Sequence, residues 1–177
     1  MAKPSGEAGF TLVEVVLIIV LLMILAAGVL PRAGNMAGTK AAAAARKLQS
    51  DIAYAQQLAM VRNLRHRVYF NAAPAPASGY AVVNNADGDA TWGEAGEVAV
   101  DPVSNAANLS VTLNTGDYAG ITISAVGFTG SYIEFNSLGA SFDGGGALAV
   151  AKSVTVSGGG IARTVTVQPS TGRVSSP

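Results

Sequence analysis

A glutamate stands near the start of a long apolar run, where an ionisable side chain needs a reason to be present. Residues 9–14 read GFTLVE, and from position 10 to position 30 the only polar side chains are Thr11 and Glu14. An ionisable group inside a membrane helix costs a few kcal/mol and needs a partner. Cleavage between Gly9 and Phe10 would create a cationic α-amine on Phe10. Glu14 could pair with that amine, within one chain or between neighbouring chains.

The apolar run that positions Glu14 has the length of a membrane span. It covers residues 10–30, and a bilayer core needs about 20 helical residues. The run shows no amphipathic period, which favours a membrane helix over a core helix. Pro31 follows it, and proline removes a backbone hydrogen bond and clashes with the preceding turn. We therefore predict a transmembrane helix over 10–30 and a helix kink at Pro31.

Two other interpretations of this segment are open. Lys3 could be the basic end of a secretory signal peptide, with residues 26–28 (AAG) as its small-residue cleavage region. Glu14 argues against a signal peptide, because a carboxylate interrupts the start of the apolar run. A plain anchor helix explains the length of the run, but it explains neither Glu14 nor the glycine before Phe10.

Composition excludes several kinds of site. The chain has no cysteine, so disulfides, thiolate metal sites and cysteine nucleophiles are ruled out. His66 is the only histidine, which makes a histidine metal site or a Ser-His-Asp triad improbable. Because no nucleophile–base pair emerges from the sequence, we predict that the protein is not an enzyme and needs no cofactor.

An acidic stretch, NNADGDATWGEAGE (84–97), is the one candidate for metal binding. Asp87, Asp89, Glu94 and Glu97 all offer hard oxygen ligands of the kind calcium prefers. Their spacing departs from the EF-hand pattern, because Ala90 and the residues after it supply no ligand at the required offsets. We therefore predict a solvated hairpin tip and no metal site.

Charge is unevenly distributed along the chain, although the formal net charge is zero. Residues 32–67 contain one acid, Asp51, and seven bases, whereas residues 68–177 contain eight acids and three bases. The protein is thus a basic stem followed by an acidic body. A net acidic body does not favour nucleic acid as the default partner.

After Asn63 the sequence pattern changes from one typical of helices to one typical of β-strands. Residues 39–64 are rich in alanine and other strong helix formers, and Leu48, Ile52, Ala55, Ala59 and Val61 or Arg62 recur at helical spacing. Short β-prone runs separated by turn residues then occupy 66–71, 79–84, 97–100, 109–114, 120–124, 131–136, 147–150, 153–157 and 162–168. The sequence predicts an α+β fold, with a long N-terminal helix and an antiparallel β-rich body.

The segment GFTLVEVVLIIVLLMILAAGVLPR (9–32) resembles the class III signal of type IV pilins and type II secretion pseudopilins. The resemblance implies that a prepilin peptidase cuts between Gly9 and Phe10 on the cytoplasmic face and that Phe10 is N-methylated. It also implies that Glu14 meets the N-terminal amine of an adjacent subunit during filament assembly. The expected location is the bacterial inner membrane, spanned once, with a cytoplasmic N-terminus and a periplasmic body that later enters the filament.

The body resembles the GspH/FimT family of minor pseudopilins and minor pilins. The similarity is carried by ARKLQSDIAYAQQLAMVRNLRHRVYF (45–70), GYAVVNNADGDATWGEAGEVAV (79–100), IEFNSLGASFDGGG (133–146) and ARTVTVQPSTGRVSS (162–176). It implies a β-sandwich-like pair of antiparallel sheets. The expected parts are a leader over 1–9, a transmembrane helix over 10–30, a kinked and then amphipathic helix over 31–64, and a periplasmic β domain over 65–177.

The two branches of that family imply different functions. GspH-type members are minor pseudopilins of the type II secretion pseudopilus, which supports protein secretion across the outer membrane. FimT-type members are type IV minor pilins, some of which bind DNA through a C-terminal G-R-x-R motif. Here Gly172 and Arg173 are present but Ser175 replaces the second arginine. Arg163 and Arg173 are the candidate DNA contacts.

A structural subunit of the secretion pseudopilus is the preferred interpretation, and DNA uptake is the alternative. The expected partners are other pseudopilins or pilins, the prepilin peptidase and methyltransferase, and inner-membrane lipid. DNA is a partner only in the alternative interpretation.

Overall fold

A computed structural model describes residues 10–29 and 33–176 of the chain. Two helices, α1 (Leu12–Val29) and α2 (Ala33–Arg62), precede ten β-strands. The chain divides into two compact units between Met36 and Ala37. From Ala37 onward, α2 packs on two antiparallel sheets, which confirms the predicted α+β fold.

Helix α1 is almost wholly apolar. Every side chain from position 10 to position 26 is exposed in the isolated chain. Leucine, isoleucine and valine therefore cover all sides of the helix, and none of these side chains is buried by the chain's own residues.

No helix among the described residues combines the length and the apolar character needed to cross a membrane.

The positions of Gly9 and Pro31 lie outside the described residues. The predicted cleavage site and kink are therefore not described structurally, and the boundaries at 9/10 and 30/31 stay predictions.

Helix α2 buries one stripe of small and aliphatic side chains against the sheets. Leu48, Ile52, Ala55 and Ala59 are fully buried, as their spacing predicts. Alanine at two of these positions adds little side-chain volume between the helix backbone and the sheets. The predicted continuation of the stripe to Val61 or Arg62 is wrong: both side chains are exposed, Val61 by 83%, so the stripe ends at Ala59.

The β-rich body contains a six-stranded sheet and a four-stranded sheet. Their strand orders are β3-β2-β1-β5-β6-β7 and β10-β9-β8-β4, with every pairing antiparallel. The strands are β1 (His66–Phe70), β2 (Gly79–Asn84), β3 (Ser110–Thr112), β4 (Thr122–Val126), β5 (Tyr132–Phe135), β6 (Ser141–Asp143), β7 (Gly146–Ala147), β8 (Lys152–Gly158), β9 (Ile161–Val167) and β10 (Val174–Ser175). Apolar residues of α2 and of both sheets form one core cluster.

Most of the predicted β-runs form strands, but two differ. The run at 97–100 contributes a single bridge between Val98 and Val83, and the run at 147–150 contributes only the end of β7. Strands β6 and β10 contain only three and two residues. Segments this short show no alternation of apolar and polar residues from which a strand could be predicted. Their partners β5 and β9 hold them in the sheets.

A buried polar contact joins α2 to the six-stranded sheet. The Nζ of Lys47 donates to both carboxylate oxygens of Asp51 at 2.7 and 2.8 Å, and the hydroxyl of Tyr80 donates to the same carboxylate at 2.8 Å. Asp51 and Tyr80 are 2% and 1% exposed. Burial raises the pKa of Asp51, and the hydrogen bonds from Lys47 and Tyr80 offset only part of that rise.

Asp143 organises the turn between β6 and β7. Its carboxylate accepts hydrogen bonds from the backbone N–H groups of Thr129 and Gly145, each at 2.9 Å. It also forms an ion pair with Lys152 at the start of β8. Burial alone would raise the pKa of Asp143, but these three donors together lower it below its ordinary value.

We expect Asp143→Asn to remove a pH-dependent part of the stability, about 2 kcal/mol at neutral pH for hydrogen bonds to a charged group. Because the folded-state pKa is lowered, the wild-type contribution is present above the ordinary pKa of 3.8 and is lost as pH falls through the folded-state value. Urea unfolding of both proteins from pH 7 to pH 2.5 measures this difference. A difference that persists undiminished at the acid end would contradict the assignment.

Candidate functional site

Thr11 and Glu14 form the N-terminal cap of α1. The backbone N–H of Glu14 donates to the Thr11 hydroxyl at 3.3 Å and to the Thr11 carbonyl at 3.0 Å. The spacing T-x-x-E is that of a capping box, a signal that the sequence analysis missed. Glu14 thereby lies in the first turn, where the helix dipole favours a negative charge.

The Glu14 carboxylate itself has no hydrogen bond or ion pair to any described residue. The cap uses its backbone, so the charged group is left available. A cation brought to this turn, such as a neighbouring amine, would meet a carboxylate that no described residue binds.

A second polar cluster lies on β1 and β5 of the six-stranded sheet, beneath the acidic stretch 84–97. Arg67 and Glu134 are directly opposite each other in the register, and Nε of Arg67 donates to Glu134 at 2.7 Å. Nε of Arg65 donates to the other oxygen of Glu134 at 2.6 Å. The Arg67 guanidinium carbon lies 3.8 Å from the ring centre of Trp92 and 4.1 Å from that of Tyr132.

Arg67 is therefore sandwiched between two aromatic rings and bound to a carboxylate that is 2% exposed. Burial would lower the pKa of Arg67, but its hydrogen bonds to Glu134 and Tyr69 raise it above the ordinary value. Trp92 lies half-buried on this guanidinium and not in the apolar core. The cluster attaches the loop containing Trp92 to the sheet.

An open cavity of about 570 Å³ lies beside this cluster. It is lined mainly by polar groups from the end of α2, the start of β1 and the acidic stretch: Asn63, Leu64, Arg65, Arg67, Asn85, Gly88, Asp89, Ala90 and Trp92. Arg65 and Arg67 contribute positive charge to the lining and Asp89 contributes negative charge.

The acidic stretch divides its carboxylates between two roles. Oxygens of Asp87, Asp89 and Glu94 lie within 4.8 Å of one another at the surface, so these three side chains could hold a metal ion. Glu97 is instead buried and accepts hydrogen bonds from the backbone N–H groups of Ala86 and Gly93, at 2.9 and 3.0 Å. Glu97 thus stabilises the loop through hydrogen bonds in its interior. It does not belong to the exposed set formed by Asp87, Asp89 and Glu94. The sequence-based prediction of no metal site is not tested by this arrangement.

Residues 4–30 match the family model for the prokaryotic N-terminal methylation motif. The chain carries a type IV pilin-like prepilin signal. No match was found among curated proteins or solved structures. The matched range includes Gly9, Phe10 and Glu14, and the motif indicates a type IV pilin-like or pseudopilin protein. A motif of this kind suggests processing by prepilin peptidase and assembly with other pilins.

The two candidate DNA contacts of this pilin-like chain are exposed but are not brought together. Arg163 lies on β9, whereas the backbone carbonyl of Arg173 accepts a hydrogen bond from Gln168 just beyond the other end of that strand. Gln168 comes five positions after Arg163, which is roughly 16 Å along a strand. Neither arginine side chain has a hydrogen bond or ion pair within residues 10–29 and 33–176.

Proposed function

We propose that this protein is a minor pseudopilin of the GspH/FimT type, a non-enzymatic structural subunit of a type II secretion pseudopilus that supports protein secretion across the outer membrane. The methylation motif at 4–30 is the observation that carries the proposal. The α+β fold, with a helix packed on two antiparallel sheets, is consistent with a pilin-like body. The resemblance of the body sequence to the GspH/FimT family supports the finer assignment.

The N-terminal segment supplies the mechanism of assembly. After cleavage, the new amine of Phe10 would carry a positive charge, and Glu14 offers a carboxylate, without a partner among the described residues, on an otherwise apolar helix. Pairing between neighbouring subunits would fix their axial register, because a displaced subunit would leave a charge without a partner in apolar surroundings. The exposed apolar side chains of α1 would be covered first by inner-membrane lipid and then by the helices of other subunits. The β body would lie in the periplasm throughout.

DNA binding is the second candidate function, favoured by the exposed side chains of Arg163 and Arg173, neither of which forms an ion pair with a described residue. Their separation along β9 and the presence of Ser175 in place of a second arginine argue against one concentrated phosphate-binding patch. The acidic balance of residues 68–177 argues in the same direction.

Partner identification after mild crosslinking in the native membrane tests the proposed function. We expect mass spectrometry to find pseudopilins of a secretion system crosslinked to the wild-type protein and depleted from a Glu14→Ala sample prepared in parallel. Type IV pilus subunits as the main partners would instead favour the FimT-type alternative. Absence of any pilin-like partner from the wild-type sample would refute both.

A further inference from the structure

His66 is fully buried at the start of β1, directly opposite Asn84 at the end of β2. The Nδ1–H of its ring donates to the carbonyl oxygen of Leu64 at 3.0 Å. Because a carbonyl oxygen can only accept, Nδ1 carries the hydrogen, and Nε2 of the neutral ring is an acceptor. This Nε2 is buried and has no hydrogen-bond partner among the described residues.

Asn84 holds the two ends of the acidic stretch (84–97) together. Its backbone N–H and its side-chain Nδ2 both donate to the carbonyl oxygen of Glu97, at 2.7 and 2.9 Å. The bond from Nδ2 fixes the orientation of the amide group. The other amide atom, Oδ1, is buried without a partner in the described part of the chain. Two buried acceptors, Nε2 of His66 and Oδ1 of Asn84, therefore belong to residues that stand opposite each other, and two acceptors cannot bond.

The charged groups of the neighbouring elements do not favour a protonated His66. Arg62, in the last turn of α2, acts on the ring with a positive charge. Strand β2 has no charged residue. The carboxylate of Glu134 on β5 is bound by the two arginines described above, and that of Glu97 accepts from two backbone N–H groups. Burial lowers the pKa of His66 below its ordinary value of 6.5, Arg62 lowers it further, and the bond to Leu64 offsets only part of this fall.

We propose that His66 is a pH-sensitive switch that releases the acidic stretch in acid. A proton added at Nε2 creates a donor on a buried cation, and a buried polar group without a partner costs free energy. Oδ1 of Asn84 can accept from Nε2 only by moving the amide group that donates to Glu97. Otherwise this end of the sheet opens to water. Both responses weaken the contact between Asn84 and Glu97 that closes the stretch.

Release of the acidic stretch changes a large part of the surface of the body. The stretch carries the exposed carboxylates of Asp87, Asp89 and Glu94, and it supplies five of the residues that line the cavity of about 570 Å³. Acid would thus alter the shape of that cavity and the position of those charges. The switch involves no residue of α1 and does not depend on the proposed role in secretion.

The release has a defined pH window. Because the folded-state pKa of His66 is lowered, the stability contributed by the neutral ring is complete above pH 6.5. It is lost as the pH falls from 6.5 to the folded-state value. Within that window opening takes up one proton, so the open population rises by at most about tenfold per pH unit.

Hydrogen exchange of the full-length protein in non-ionic detergent, measured by mass spectrometry and corrected for intrinsic exchange rates, tests the proposal. Protection of residues 85–97 should fall severalfold between pH 7.5 and pH 5, whereas strand β8 should keep its protection. His66→Gln is uncharged at both pH values and should lose the pH dependence. Unchanged protection at 85–97, an equal loss in β8, or the same pH dependence in His66→Gln would overturn the assignment.

Asn84→Ala tests whether Asn84 closes the stretch. This variant lacks the amide that donates to Glu97, so protection at 85–97 should already be low at pH 7.5. Wild-type protection in this variant at pH 7.5 would show that Asn84 does not hold the stretch, and the switch would then have no lever.

Nuclear magnetic resonance of the imidazole ring in tag-free wild-type protein makes the test independent of how any variant folds. His66 is the only histidine, so its ring signals identify themselves. They should show a neutral ring protonated at Nδ1 at pH 7.5, and a titration midpoint below 6.5 that accompanies the loss of protection at 85–97. A midpoint at or above 6.5, or a protonated ring beneath a stretch that stays protected, would contradict the switch.

Discussion

Glu134→Ala is expected to lower the free energy of unfolding by about 3–5 kcal/mol, the range found when one partner of a buried ion pair is removed. Glu134 is 2% exposed and binds both Arg65 and Arg67, and the Arg67 side chain is only 16% exposed. The substitution leaves the Arg67 guanidinium buried between two rings without its counter-charge. Because domains are stabilised by roughly 5–15 kcal/mol, this loss is a large part of the total.

Urea unfolding followed by far-UV circular dichroism measures that loss, and the fluorescence of Trp92, the only tryptophan in the chain, reports the cluster directly. Glu94→Ala is the matched control. Glu94 is an exposed acid in the loop that contains Trp92, and its carboxylate forms no ion pair with a described residue. The control should change stability by less than about 0.5 kcal/mol. Equal effects of the two substitutions would show that the buried pair does not stabilise the body.

Glu14→Ala is expected to reduce incorporation into filaments tenfold or more while leaving cleavage and the β body intact. The physical reason is that the N-terminal amine of a neighbouring subunit would then lie in apolar surroundings without a counter-charge, at a cost of a few kcal/mol per contact. Quantitative immunoblotting of sheared filaments, relative to total processed protein, measures incorporation.

Two controls separate the charge of Glu14 from its place in the helix cap. Glu14→Gln keeps the shape and removes the charge, so it should fail like Glu14→Ala. Thr11→Ala removes the capping hydroxyl, which costs about 1 kcal/mol, and should retain most incorporation. Normal assembly of Glu14→Gln would disprove the role of the charge in subunit register.

The parts of the fold that depend on local patterns could be predicted from the sequence. The buried stripe from Leu48 to Ala59 follows the helical period, and the long strands β8 and β9 alternate buried and partly exposed residues. Strands β6 and β10 escaped prediction because two or three residues carry no period. They depend on longer partners that only the tertiary fold supplies.

The polar clusters could not be predicted because their members are distant in sequence. Arg67 and Glu134 are 67 residues apart, and Asp51 and Tyr80 are 29 apart. Charge counting showed a basic stem and an acidic body but not which charges pair. It also grouped Glu97 with the exposed acids, whereas backbone N–H groups draw that carboxylate into the loop interior.

The N-terminal signal was the most predictable part, because the residues that define it lie close together in the sequence. The resemblance to a prepilin signal singled out Gly9, Phe10 and Glu14 around the start of the apolar run, and the matched motif covers all three. The roles of these residues in cleavage, methylation and assembly stay predictions.

The N-terminal residue of the mature protein tests the central claim most directly. Mass spectrometry of the N-terminal peptide, from protein extracted from its native membrane, identifies both the cleavage position and any methyl group. A pilin-like subunit should begin at Phe10 and carry an N-methyl group on that residue. A chain that begins after the small residues at 26–28, or that keeps residues 1–9, would contradict processing as a prepilin.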